Sequence, residues 1–199
     1  MNLLETLGPK SILVCRDSFD AVSCREARLM EPVAMDAVIL DERYLDQRWY
    51  VAQAIQNFPE ILFSDMTGHK EDLFKTLILN NRDLWEIYWD LPVLPPEWEG
   101  PPAVPTVLTQ EFEGPAVDFF DPEKVQYRFD LGALPGEYKA PGGASRAYFS
   151  RYVIGFNELG KYLLGKGRYS AAIHAFERSV KLDLAFREPQ TYLAQMFSK

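Results

Sequence analysis

Four aspartates are the residues of this sequence best placed to do chemistry. Each ends a short apolar run: Asp17 in SILVCRD, Asp41 in DAVILD, Asp65 in EILFSD and Asp90 in WEIYWD. If these runs are adjacent parallel strands, the four carboxylates meet at the carboxyl edge of one sheet, where open α/β sheets bind ligands. Carboxylates that share a crevice repel one another and favour a hard cation with oxygen ligands, such as Mg²⁺ or Ca²⁺.

The same pattern also has a purely structural explanation. Aspartate is a good helix N-cap, and each strand-to-helix junction benefits from one. Both interpretations stay open on the sequence alone, and Asp17 and Asp41 are the members we expect in a real cation or ligand site. No catalytic residue is predicted.

Other enzyme classes leave no trace in the chain. The turn after the first apolar run, CRDSFDAV, has no glycine, so the phosphate cradle of a dinucleotide fold is missing, and no GxxxxGK[ST] motif occurs. His69 and His174 lack companions at zinc-ligand spacing. We therefore predict no cofactor and no zinc site.

Cys15 and Cys24 are the only cysteines, and they are either buried free thiols or, outside the cytoplasm, a disulfide bridge.

The elements that must position the aspartates follow from hydrophobic periodicity. The four apolar runs have the length of buried strands, and the stretches between them have helical spacing. This alternation predicts an α/β domain over residues 1–130 with a mostly parallel sheet of four or more strands and flanking helices. The apolar spacing predicts the buried face of each helix: Phe19, Val22, Ala27 and Leu29 in the first, Leu45, Trp49, Ala52, Ile55 and Phe58 in the second, and Leu73, Leu77 and Leu79 in the third.

A proline-rich arm follows the fourth run. Residues 91–105 hold six prolines in fifteen positions, a density that excludes a helix or a central strand and predicts an extended arm across the sheet, or a linker. Trp85, Trp89 and Trp98 gather around its start, where they either stack on sugar rings or pin the arm to the sheet. Residues 106–112 and 124–130 alternate enough to be strands.

The chain ends in a helical segment, 146–199, in which apolar and small residues recur in a fixed order: Phe156, Leu159, Gly160, Leu163, Gly167, Tyr169, Ala172, Phe176 and Ser179. This order resembles a tetratricopeptide repeat over about 34 residues, about 153–186. The resemblance implies a helical hairpin in which small residues sit where the helices approach most closely. Leu184 stands where the family usually has a proline, so the second helix is expected to continue or close differently, near Pro189.

Tetratricopeptide units dock protein partners when several copies stack into a groove. One copy is clear here. The apolar positions Tyr192, Leu193 and Met196 predict that the C-terminal helices contact a protein partner or a second copy of the chain.

The α/β part resembles, through short motifs over about half of the chain, the soluble C-terminal tail of multi-pass bacterial membrane proteins related to the protein O-mannosyltransferases. The motifs are Asp17 and Asp20, the strand AVILD, the pair Trp49–Tyr50, and LILNNRDLWEIYWD. The resemblance implies a glycosyltransferase-like protein whose sugar-transfer chemistry lies on another part of it, with this tail on the extracytoplasmic face of the membrane.

Charge and hydropathy limit the partners further. The chain has a net charge of −8. It therefore lacks the basic surface that nucleic-acid-binding proteins use to contact phosphates. No signal peptide is apparent, and no apolar run reaches the roughly 20 residues of a membrane span. We therefore expect a soluble chain that meets a membrane only through a segment upstream. Three hypotheses remain: a non-catalytic interaction or positioning tail, a stand-alone cytoplasmic scaffold, and a small enzyme or cation site at the aspartate edge.

Overall fold

The structure is a computed structural model that describes residues 4, 7–8, 10–30, 34–63, 70–91, 93–106, 109–112 and 142–198. The chain divides into two compact units. One comprises Met1–Leu91, Pro95–Val104 and Glu111–Phe120, and the other comprises Pro92–Leu94, Pro105–Gln110 and Asp121–Lys199. No helix in the described ranges is both long and apolar enough to cross a membrane.

The strands form one five-stranded sheet in the order β2-β1-β3-β5-β4. Their bounds are Ser11–Cys15 for β1, Val38–Asp41 for β2, Glu86–Trp89 for β3, Ala103–Pro105 for β4 and Gln110–Phe112 for β5. The helices that the structure describes beside them are α1, Ser18–Met30; α2, Arg48–Asn57; and α3, Lys70–Asn81, with a 3₁₀ turn at Glu42–Tyr44. The predicted α/β class is confirmed.

The sheet is mixed, so the prediction of a mostly parallel sheet is not upheld. β1 pairs in parallel with β2 on one side and with β3 on the other. β4 and β5, in contrast, are joined by only residues 106–109, and the Thr106 N–H donates to the Thr109 carbonyl at 2.9 Å across this turn. So short a connection makes an antiparallel hairpin, because parallel strands need a crossover of about a dozen residues or more.

The third predicted strand, around residues 60–65, is not a strand in its described part. Residues 59–63 form a turn and a loop in which Ile61 is buried. The Asn81 side chain takes the place of a neighbouring strand: its Oδ1 accepts from the Leu62 N–H at 2.8 Å, and its Nδ2 donates to the Leu62 carbonyl at 2.9 Å. Asp65 and the predicted strand at 124–130 lie outside the described residues.

The helices exist where the periodicity placed them, but their buried faces are rotated from the predicted ones. α1 buries Ala21 and Cys24, whereas Leu29 is 87% exposed. The predicted face residues Val22, Trp49, Ile55 and Leu79 are also largely exposed, whereas Leu45 and Leu77 are buried as predicted. Because apolar residues occur on several sides of each helix, spacing alone did not select the face that meets the sheet.

The proline-rich segment contributes an edge strand. Its last residues, Ala103–Pro105, form β4 at the end of the sheet. An edge position accommodates Pro105 because one side of an edge strand has no neighbour to receive an N–H.

The described C-terminal residues, 142–198, form the helical unit and contain three consecutive helices: α4, Gly142–Gly165; α5, Tyr169–Leu182; and α6, Glu188–Phe197. Gly167 makes the turn between α4 and α5 with φ of 73°, a left-handed conformation that favours glycine. α5 ends at Leu182 rather than near Pro189, and the Asp183 carboxylate accepts from the Ala185 N–H at 2.8 Å just beyond its end. Pro189 lies in the first turn of α6, where its missing N–H costs nothing.

Candidate functional site

The carboxyl edge of the parallel strands brings together the predicted aspartates that the structure describes. Asp41 lies opposite Cys15 in the β1–β2 register. Asp90 directly follows Trp89, which is paired with Val14, and its N–H donates to the Val14 carbonyl at 3.1 Å. Asp41 and Asp90 therefore flank the end of β1, and Asp17 follows β1 itself.

Asp41 acts as a cap. Its Oδ1 accepts from the Arg43 N–H at 3.0 Å at the start of the 3₁₀ turn, and its Oδ2 accepts from the Ser18 hydroxyl at the start of α1. The Arg43 Nε lies 3.7 Å from Oδ1. With only 2% of Asp41 exposed, both oxygens are used to hold β2, α1 and the turn together.

Asp90 and Asp17 also organise the loops at this edge. Asp90 is fully buried, and its Oδ1 accepts from the Arg16 N–H at 2.8 Å, which fixes the loop after β1 against the end of β3. Asp17 is exposed, and its carbonyl accepts from the Ala21 N–H at 3.1 Å to begin α1.

The arrangement of Asp41 and Asp90 does not resemble a site in which two carboxylates share one cation. Asp41 and Asp90 sit on strands separated by β1, so their backbones are about 10 Å apart at the ordinary strand spacing. Within the described ranges, no three His, Cys, Asp or Glu side chains come close enough to hold a metal ion. The side chain of Asp41 caps a turn, and that of Asp90 holds a loop.

An aromatic cluster covers part of the same edge. The Trp98 ring lies 5.3 Å from that of Trp89, 5.7 Å from that of Phe74 and 5.5 Å from that of Phe112. Trp89 is buried, and its Nε1 donates to Glu42 Oε2 at 2.8 Å. The pocket beside these rings measures about 70 Å³, well below the roughly 300–1,000 Å³ of ligand sites. These contacts describe an arm pinned to the sheet.

Trp85 does not join this cluster. It precedes β3, whereas Trp89 ends it, so the two tryptophans lie about 13 Å apart along an extended strand. Trp85 is buried, with the Lys10 ammonium 5.5 Å from its ring centre.

In the helical unit, the residues of the predicted repeat occupy the interface between α4 and α5. Gly160 lies against the Phe176 ring, and the Ser179 hydroxyl donates to the Val153 carbonyl at 2.7 Å. Tyr169 is 62% exposed, and Gly167 forms the turn. The fully buried members are Phe156, Leu159, Leu163, Ala172, Phe176 and Ser179.

The third helix, α6, continues this packing. The Tyr192 ring is stacked on that of Phe176 with centres 5.0 Å apart and planes 5° from parallel. Glu188 Oε2 accepts from Asn157 Nδ2 at 2.8 Å, and Glu188 Oε1 lies 3.3 Å from Lys161 Nζ. Tyr192 is therefore used inside the unit, whereas Phe197 is 70% exposed at the end of α6.

A polar cluster beside the edge strand β2 was not predicted from the sequence. Arg25 and Arg28 on α1 and Tyr50 on α2 line a cleft of about 330 Å³. In the sequence, the only sign of this cluster is two arginines one helical turn apart. Their role becomes clear only from the fold, in which β2 is an edge strand.

No family model matches the chain, and no curated protein or solved structure shows significant similarity to it.

Proposed function

We propose that this chain is a non-catalytic interaction or positioning module whose helical end docks a protein partner. The observation that carries the proposal is the serial packing of α4, α5 and α6, in which Phe176 contacts Gly160 on one side and Tyr192 on the other. Helices that pack in chain order are typical of helical repeat arrays, which bind other proteins through the faces that stacking leaves open. The tetratricopeptide resemblance of residues 153–186 agrees with this interpretation.

The resemblance of the α/β part extends the proposal. By that analogy the module is the C-terminal extracytoplasmic tail of a glycosyltransferase-like membrane protein, and the sugar transfer occurs on another part of that protein. A stand-alone cytoplasmic scaffold is the competing form of the same docking function. A small enzyme or cation site at the aspartate edge is the third hypothesis, and the side chains of Asp41 and Asp90 hold a turn and a loop there.

Cell fractionation distinguishes the two forms. An antibody to this chain should detect a product much larger than 22.8 kDa in the membrane fraction if the module is a tail. A product of 22.8 kDa in the soluble fraction would contradict the tail and leave the scaffold.

Docking itself is tested by site-specific photo-crosslinking in the native cell. A crosslinker at the exposed Phe197 of α6 should yield one discrete adduct, whereas a crosslinker at Met30 of α1, which is also exposed, should not. An identical adduct pattern from both positions, or no adduct from Phe197, would contradict a docking role for the helical end.

A further inference from the structure

A cleft of about 330 Å³ opens between α1, the edge strand β2 and α2, which is within the usual size of small-molecule sites. Its polar lining combines two guanidinium groups, a phenol and two side-chain amides, from Arg25, Arg28, Tyr50, Gln53 and Asn57. Its apolar lining includes Ile39, Ala54 and Phe58.

The two guanidinium groups are held in place by the edge strand and the segment before it. Arg25 Nη2 donates to the Ile39 carbonyl at 3.0 Å. Arg28 donates to the Ala37 carbonyl through Nη1 and to the Met35 carbonyl through Nη2, the latter at 2.7 Å. These are alternate carbonyls on the unpaired side of the strand. The arginines thereby cover an edge that would otherwise be open to another strand, and their own positions become well defined.

Neither positive charge is neutralised within the part of the chain that the structure describes. Arg25 and Arg28 bond there only to carbonyl and hydroxyl oxygens, and no carboxylate of those residues lies within 4.0 Å of either. A guanidinium has five N–H donors, and each arginine uses two of them in the hydrogen bonds described above. In a protein of net charge −8, two arginines that line one cleft and have no acidic partner among the described residues suit an anion.

Tyr50 supplies a further donor. Its hydroxyl oxygen accepts from the Asp41 N–H at 2.8 Å and from Arg25 Nη2 at 3.1 Å. Both bonds use the lone pairs of the oxygen, so its proton is free to be donated to a third group. Burial raises the pKa of Tyr50, and the hydroxyl therefore stays protonated and able to donate.

We propose that this cleft binds a small organic anion, with a carboxylate or phosphate group on Arg25, Arg28 and Tyr50 and an apolar body over Ala54 and Phe58. Guanidinium pairs bind planar or tetrahedral oxyanions through several charge-assisted hydrogen bonds at once. This site is independent of protein docking by the helical end and goes beyond the proposed function.

The test uses isothermal titration calorimetry of the full chain with phenyl phosphate, benzoate, inorganic phosphate and uncharged benzyl alcohol. We expect saturable binding of phenyl phosphate or benzoate with a Kd of about 1 mM or lower. Inorganic phosphate should bind more weakly, and benzyl alcohol should not bind. The stronger of the two aromatic anions identifies the headgroup. Absence of saturable binding for both, or equal binding of benzyl alcohol, would overturn the proposal.

Variants place the anion in the cleft. Arg25→Gln and Arg28→Gln should each weaken binding by about tenfold or more, whereas Arg187→Gln, just before α6, changes the net charge equally and should leave binding unchanged. Since loss of either arginine also uncovers β2 and can impair folding, Gln53→Glu is the second probe. It adds a carboxylate at an exposed position of the cleft lining and leaves the arginine contacts with β2 intact. Unchanged affinity in Gln53→Glu would contradict the site.

Discussion

A methyl group added at Gly160 would lie 2.5 Å from the ring of Phe176, a separation that real side chains do not adopt. Gly160 is buried inside α4, and Phe176 on α5 is fully buried as well. The closest approach of the two helices therefore depends on the absence of a side chain at one residue and the presence of a large ring at the other.

Gly160→Ala should destabilise the helical unit. The Phe176 ring would have to move in a packed interface, at a cost of about 1–3 kcal/mol. The matched control is Gly165→Ala in the same helix, where nothing lies within 4 Å of the added carbon. Because alanine favours helix, this control should be neutral or stabilising by about 0.5–1 kcal/mol. Urea unfolding followed by far-UV circular dichroism measures both, and equal midpoints would refute the packing argument.

Asn81 should be essential to the loop that replaces the third predicted strand. Its side chain is fully buried and bonds both polar groups of the Leu62 backbone, as well as the Leu77 carbonyl at 2.8 Å. Asn81→Ala removes these bonds and should cost about 2–3 kcal/mol of unfolding free energy. The adjacent Asn80 is exposed, so Asn80→Ala should change stability by less than about 0.5 kcal/mol. Similar losses in the two variants would show that the Leu62 contacts contribute little.

Trp98 should hold the proline-rich segment on the sheet. Its ring lies against those of Trp89, Phe74 and Phe112, and its Nε1 donates to the Pro101 carbonyl at 3.0 Å. Trp98→Ala should cost about 3 kcal/mol and increase protease cleavage within residues 93–102. Trp98→Phe keeps an aromatic ring and should cost less. Unchanged protease resistance in Trp98→Ala would mean that other contacts hold the segment.

Cys15 and Cys24 should be unreactive in the folded protein. Both thiols are buried and free. The neighbouring Cys24 thiol and burial hold the pKa of the Cys15 thiol far above its usual range, which suppresses the reactive thiolate. Ellman's reagent should therefore detect two thiols only in denaturant. Rapid reaction of the native protein would contradict this, and absence of thiols after denaturation would reveal a bridge.

The raised pKa of Cys15 also predicts a loss of stability in alkali. The folded state keeps the thiol proton at a pH where the unfolded chain releases it, so the unfolding free energy should fall as the pH rises past about 8.5, the ordinary thiol value. Tyr88, whose pKa burial also raises, adds a similar loss at higher pH. Cys15→Ala should flatten the first part of this decline. An identical pH profile for Cys15→Ala would exclude the thiol as its cause.

The existence of most elements was predictable, because short apolar runs and helical spacing are local properties of the chain. Three of the four predicted strands are present, and Asp41 and Asp90 lie at the predicted edge. In its described part, residues 60–63, the third predicted strand is instead a turn and a loop, in which Ile61 is buried while Leu62 is exposed beside Asn81. The Asn81 side-chain amide hydrogen-bonds to a backbone 19 residues away in the sequence. Such a contact produces no hydrophobic periodicity from which it could be predicted.

By itself, the sequence determined the α/β class, the helical end and the glycine turn, since these follow from local periodicity and from Gly167. Only the tertiary structure decided that β2 is an edge strand, that β4 and β5 form an antiparallel hairpin, and which face each helix buries. Those outcomes depend on contacts between distant segments, such as Arg25 with Ile39 and Phe74 with Trp98. The cleft of Arg25, Arg28 and Tyr50 belongs to this second group, because its residues become neighbours only when α1 and α2 pack beside the edge of the sheet.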